Sequence, residues 1–173
     1  MTMLMAHPEQ TAGTIAGPPD RQVYAVVGFD GSASALRALD AASRLLNDRN
    51  GGMEIVYVAH LSALAAGADV GGRASAEVRQ SLDDATRELS EEVHAHLQTS
   101  HLRGAAQHWH FQRRDGAIAD QLIAVADDLC YQHGPDASVV IVVGRSEHAY
   151  HHVLGSVPRA LERHNHYPVI VIP

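Results

Sequence analysis

The run Val139-Val140-Ile141-Val142-Val143-Gly144, followed after a ten-residue loop by Gly155-Ser156-Val157, decides how this chain is read. Five consecutive β-branched residues make a strand buried on both faces, the glycine ends it, and Ser156 opens a helix. The first N–H groups of a helix have no intrahelical acceptors and carry a partial positive charge. A loop that delivers Gly-Ser to that point can therefore receive an anion, commonly a phosphate. The same residues also serve a plain strand-to-helix turn, glycine for geometry and serine as the cap.

Working outward from this stretch, short β-branched runs alternate with longer segments of helical period. Val23 to Phe29 reads as the first strand. Ser32 or Ser34 caps a helix running to about Arg49, in which Leu36, Leu39, Ala42, Leu45 and Leu46 form one apolar face, and Asn50-Gly51-Gly52 stops it. Met53 to His60 reads as the second strand, and a loop through Gly72 leads to a helix over about Ser75 to Leu102. Gln107 to Arg113 is a third strand, Asp115 caps a helix with Ile118, Leu122, Val125 and Leu129 on one stripe, and His133-Gly134-Pro135 ends it. Ser138 to Gly144, a helix from Ser156 to His166, and a strand from Pro168 to Ile172 complete the pattern. Strands separated by helices predict one α/β domain over residues 22–173, a three-layer unit with a mostly parallel sheet covered on both faces. Residues 1–21, with Pro18-Pro19 and no periodicity, read as a flexible tail that lacks the basic and apolar segments of a signal peptide.

Composition narrows the function. At 173 residues the chain suits one domain able to bury a core without disulfides, and 46% hydrophobic with 19% charged residues is a soluble balance. No apolar run reaches the roughly 18 residues that span a bilayer, so a cytoplasmic protein without membrane contact is expected. A net charge of −7 argues against a general nucleic-acid binder. All 13 basic residues are arginine, which removes lysine as a phosphate contact, Schiff base or amine base. Cys130 is the single cysteine and reads as a small apolar residue on a helix side.

In sheets of this kind ligands sit beyond the carboxyl ends of the strands, where the strand order reverses. Gly28-Phe29-Asp30-Gly31-Ser32 places a carboxylate there. It can accept from ribose hydroxyls or ring donors, or it can fix the turn by accepting from nearby backbone N–H groups.

Val26-Val27-Gly28-Phe29-Asp30-Gly31-Ser32, Val142-Val143-Gly144 through Gly155-Ser156-Val157, and Pro168-Val169-Ile170-Val171-Ile172, in that order and strand context, resemble the universal stress protein family from about Val23 to Pro173. The resemblance implies a five-stranded, Rossmann-like sheet of order 3-2-1-4-5, a homodimer, and a stress-response role with adenine nucleotide bound in some members and absent from others. Carried over by position, it implies a nucleotide site at Gly28, Phe29, Asp30, Val58, Val143, Gly144, Arg145, Gly155, Ser156 and Val157. Asp30 stands for the family aspartate that contacts the nucleoside, and Val58 for the second-strand residue that meets adenine. Gly144 with Gly155-Ser156 stands for the ends of the phosphate motif Gly-x2-Gly-x9-Gly-[Ser/Thr].

The middle of that motif departs from the family. Glu147 replaces the second glycine, and ten residues rather than twelve separate Gly144 from Gly155. A carboxylate about 4 Å from a phosphate oxygen repels it by about 1 kcal/mol in water and about 4 kcal/mol at an effective dielectric of about 20. Arg145, His148, His151 and His152 on the same loop restore positive charge, the imidazoles below about pH 6.5. The expected ligand is therefore ATP or a smaller or less charged adenine nucleotide, with or without Mg²⁺, the competing expectation being an empty site.

Among the 13 histidines His151-His152 are adjacent, His164 and His166 are two apart, and His148 with His152 has i, i+4 spacing but on a segment read as loop, so no metal ligands are assigned. His94, His96, His101, His108 and His110 read as surface or strand-edge residues. No hydrolytic constellation is visible, so at most slow ATP hydrolysis is expected and no catalytic residue is assigned. The alternatives are a structural interaction module that binds no nucleotide, and an electron-transfer or ligase relative, disfavoured by the absence of a second domain, a cysteine cluster and lysine. The apolar strand Pro168 to Ile172, if it lies at a sheet edge, pairs with its copy in a second chain and gives a homodimer serving an unknown protein partner.

Overall fold

A computed structural model describes residues 21–59, 73–100, 104–145, 156–164 and 166–173. The elements are β1 (Val23–Gly28), α1 (Ala33–Leu46), β2 (Gly51–Ala59), α2 (Arg73–Thr99), a 3₁₀ turn (Gly104–Gln107), β3 (Trp109–Asp115), α3 (Ile118–His133), β4 (Ser138–Gly144), α4 (Ser156–His164) and β5 (Val169–Ile172). The strands form one sheet in the order β3-β2-β1-β4-β5, every pair parallel. After β3 the chain returns to the other side of β1, so the order reverses between β1 and β4. There Gly28 stands opposite Val143.

Strand alternation divides the core between the two faces of the sheet. Ala25, Val27, Met53, Ile55, Val140 and Val142 pack under α1 and the carboxyl-terminal half of α2, which contributes Val93 and Leu97. Tyr24, Val26, Val56, Val139, Ile141 and Val143 pack under α3 and under Leu161 of α4. Because β1 and β4 meet a helix on each face, they carry unbroken apolar runs rather than an alternating pattern. Cys130 lies half-buried against the second cluster. In the same cluster Tyr167 donates its hydroxyl hydrogen to the Asp127 carboxylate at 2.6 Å. Burial first, and this bond second, push the phenol pKa well above its ordinary value.

Several boundaries differ from the sequence reading. The N-cap of α1 is Ser32, whose Oγ accepts from the Ala35 N–H at 3.1 Å, and the helix stops at Leu46 because Asn47 turns extended (ψ 134°) before Asp48 takes a left-handed conformation (φ 58°). Gly51 and Gly52, read as a breaker, begin β2 instead. A Cβ at Gly51 would lie 1.9 Å from the Val23 carbonyl oxygen, so the close approach of β1 requires glycine there. Asp115 does not cap the third helix. It ends β3 opposite Ala59, Gly116 (φ 135°) makes the turn, and the N-cap is Ala117 with no side-chain bond. The last strand starts at Val169 rather than Pro168, whose nitrogen has no hydrogen for the ladder, although its carbonyl accepts from Ile141 N–H. The last helix ends at His164, and the expected helix end at Leu102 lies outside the described residues.

His94, His108 and His110 lie exposed, His110 on the edge strand β3, and His96 is half-buried; His101 lies outside the described residues. His96 on α2 donates to Asp40 on α1 at 2.7 Å, and His110 on β3 bonds Glu54 of β2 at 3.0 Å. His94 accepts from the Gln98 amide at 2.7 Å. Among the described residues no three His, Cys, Asp or Glu side chains converge as a metal site.

Candidate nucleotide site

A cavity of about 230 Å³ opens at the carboxyl ends of β1, β2 and β4, where the strand order reverses. Its floor is apolar, made by Gly28, Val56, Val58 and Val143 from the sheet and Ile118 and Leu122 from α3. Its other side is polar: Asp30, Ser32 and Ser34 around the start of α1, with Gly144 at the end of β4. Val157 and Pro158 of α4 close the remaining wall. Residues near the starts of three helices, α1, α3 and α4, thus line one small volume. The size falls just under the roughly 300–1,000 Å³ of small-molecule sites. A larger, open groove at the opposite end of the sheet, lined by Arg21, Asp48, Arg49, His133 and Asp136 among others, mixes both charge signs and lies away from the strand reversal.

Of the residues expected from the sequence, Gly28, Phe29, Asp30, Val58, Val143, Gly144 and Val157 line this cavity. Arg145 does not. It lies exposed just past β4, its backbone N–H donating to the Ile172 carbonyl at 2.7 Å. Ser156 is the first residue of α4, and Gly155 lies outside the described residues, as do Glu147, His148, Tyr150, His151 and His152. Ser34, Ala35, Val56, Ile118, Leu122 and Pro158 join the lining without having been assigned to the site. The apolar stripe of α3 contained Ile118 and Leu122, but nothing in the stripe itself distinguished residues that face a cavity from residues that fill a core.

Two of the expected residues have local work that the geometry makes visible. Asp30 Oδ1 accepts from the Ser32 N–H at 3.0 Å, so this carboxylate fixes the turn, and its residue is exposed at the cavity mouth. Gly144 sits against the first turn of α1. A Cβ there would lie 2.5 Å from Ser34 C, 2.6 Å from Ser34 O and 2.8 Å from Ala35 N, all backbone atoms that cannot swing aside. Gly28 differs, since its Cβ would meet only side-chain atoms, Val143 Cγ1 at 3.2 Å and Leu122 Cδ1 at 3.4 Å, on the cavity floor.

The same fold recurs among solved structures. The hypothetical protein MJ0577 matches with a TM-score of 0.66 at 15% identity, over 88% of this chain and 96% of that one. The universal stress protein UspA from Lactobacillus plantarum matches at 0.56 and 22% identity, over 88% and 99%. A universal stress protein solved in complex with cAMP also matches at 0.56 and 22% identity, over 89% and 98%. No curated protein sequence matches. The model of the universal stress protein family matches residues 25–173, from inside β1 through β5. Strand order, the cavity at the strand reversal and this match agree: the chain belongs to the universal stress protein family.

Proposed function

We propose that this chain is an adenine-nucleotide-binding regulatory protein of the stress response, with the cavity between β1, β4 and α3 as its binding site. The observation that carries the reading is the division of that cavity into an apolar floor, suited to a purine ring, and a polar rim at helix N-termini, suited to sugar and phosphate. A relative of the same fold holds cAMP. Asp30, Val58 and Gly28 flank the base and sugar, and Gly144 and Val157 face the phosphate side; Gly155 and Ser156 are assigned to the phosphate by their place in the motif alone, and Arg145, outside the cavity lining, is not assigned. ATP, with or without Mg²⁺, fits the family pattern, while Glu147 and the short loop favour a ligand with fewer phosphates. Turnover is slow or nil, because Asp30 is the one carboxylate on the described cavity wall and is engaged with backbone. The protein acts in the cytoplasm; no helix among the described residues is long and apolar enough to cross a membrane.

The homodimer forms through β5. This strand lies at the sheet edge beside β4, and an edge leaves one row of N–H and C=O groups for a second copy. Nucleotide binding then alters contacts with a protein partner.

A second reading has its own support. The turn bond of Asp30 and the backbone contact of Gly144 account for both residues without any ligand, as an interaction module of the same fold would need. Thermal unfolding with ATP, ADP, AMP and cAMP, each with and without Mg²⁺, separates the two. A ligand at about 100 times its Kd stabilises the native state by about 2.7 kcal/mol, readable as a raised Tm. No rise with any of the four selects the interaction module.

A further inference from the structure

The polar rim of the cavity has an unusual source. Among the described residues that line it, none is cationic, and the one charged side chain is an acid, Asp30. Recognition of an anionic ligand group by this wall falls to neutral donors. Two hydroxyls are placed for it. Ser32 Oγ and Ser34 Oγ lie 3.0 Å apart, and Ser32 Oγ also accepts from the Ala35 N–H at 3.1 Å. Ser34 is only 3% exposed yet belongs to the cavity wall, and its backbone lies against Gly144 at the strand reversal.

Counting protons bounds what this pair can do. Two hydroxyls bring two O–H donors, and the contact between them uses one. The Ala35 N–H occupies one lone pair of Ser32 and leaves a second, so either hydroxyl can donate to the other; an acceptor entering beside Ser34 selects the direction Ala35 N–H to Ser32, Ser32 O–H to Ser34, and Ser34 O–H outward. In a chain of this polarity each donor strengthens the next. Ser34 Oγ is partnered by Ser32 Oγ, and among the described residues no buried side-chain polar atom lacks a partner. The pair is satisfied within itself, and an anionic ligand oxygen, the stronger acceptor, draws the Ser34 proton outward while Ser32 donates to Ser34.

We propose that Ser34, oriented by Ser32, is a specificity residue whose hydroxyl donates to a phosphate oxygen of the bound nucleotide. This rests on the adenine-nucleotide reading of the cavity. The phosphate is the group selected because the relay starts at the positive end of α1, where a donor gains most from an anionic acceptor. The hydroxyl pair thus takes over at the first phosphate the task that a cationic side chain commonly performs.

The test is equilibrium binding of AMP and adenosine to the full chain and to Ser34→Ala, with the Tm of both proteins recorded. Alanine favours helix, so the variant keeps its fold. Wild type should bind AMP more tightly than adenosine. Ser34→Ala should weaken AMP roughly ten- to hundredfold, the usual loss for a hydrogen bond to a charged group, while adenosine changes less than about twofold. A variant that loses both ligands equally, or neither, overturns the proposal, and a lowered Tm with an unchanged AMP-to-adenosine ratio shows a pair that only supports the cap. Wild type binding adenosine but not AMP also overturns it. Wild type binding neither also overturns it, an outcome visible before the variant is measured and distinct from failure to bind ATP, ADP, AMP and cAMP alike, which refutes the nucleotide reading itself.

Discussion

Replacing Gly144 by alanine separates packing from ligand recognition at the residue where the two readings of this protein meet. The new methyl would stand 2.5 to 2.8 Å from three backbone atoms of Ser34 and Ala35, well inside van der Waals contact. Relief requires β4 and the first turn of α1 to part by several tenths of an ångström. Both are fixed, β4 by its pairing with β1 and β5, and α1 by its Ser32 cap and buried face. Overpacking costs about 1–3 kcal/mol, and a rigid backbone neighbour places this case at about 2–3 kcal/mol. Reduced freedom of the unfolded chain returns about 0.4–1 kcal/mol. The net loss of about 1–2.5 kcal/mol should lower Tm by roughly 2–10 °C for a domain of this size. Urea unfolding measures the loss directly, and Gly28→Ala is the companion. Its methyl meets only Val143 and Leu122 side chains, so Tm should move by less than about 3 °C while nucleotide affinity falls as the floor is filled. An unchanged Tm in Gly144→Ala with lost nucleotide binding would refute the packing argument and return this glycine to the phosphate alone.

Three further outcomes are expected. Tyr167 has a raised pKa in the folded protein, so its contribution is full below the unfolded value of about 10 and is lost as pH rises above it; Tyr167→Phe should flatten the alkaline limb of a stability-pH curve, and an unaltered limb would show that another group sets it. Ile170 is the exposed large residue of β5, whereas Val171 packs partly buried against the second cluster. Ile170→Lys should therefore yield monomer in sizing without loss of fold, and an intact dimer would place the interface elsewhere. Ser32→Ala removes the cap of α1 and should cost about 0.5–2 kcal/mol in urea unfolding, with no change there showing that the cap bond is dispensable.

The strands were legible because β1 and β4 are buried on both faces and must be apolar throughout. The alternation of elements gave a parallel sheet, but the order 3-2-1-4-5 came through the family resemblance and not from periodicity. What the sequence concealed depends on contacts between distant segments. Gly51-Gly52 has the composition of a breaker, and only the approach of the Val23 and His108 carbonyls shows why a strand needs glycine there. Asp115 stands where a cap would, yet β3 extends through it because Ala59 offers a partner and Gly116 can turn. His96 meets Asp40 across 56 residues of chain, a pairing no local pattern encodes. At the site, the strand-end residues Gly28, Asp30 and Gly144 were legible from position and motif. Ser34 and Leu122 were not, since a serine in a first helical turn and a leucine in an apolar stripe look the same whether or not a cavity lies beside them.

The most direct test of the central claim is equilibrium binding of ATP, ADP, AMP and cAMP to the purified protein and to Asp30→Ala, with Asp30→Asn to keep an oxygen for the Ser32 N–H. The account predicts that wild type binds at least one of the four with a preference for fewer phosphates, and that Asp30→Ala abolishes binding. Absence of binding by wild type to all four, or undiminished binding by Asp30→Ala, would contradict it.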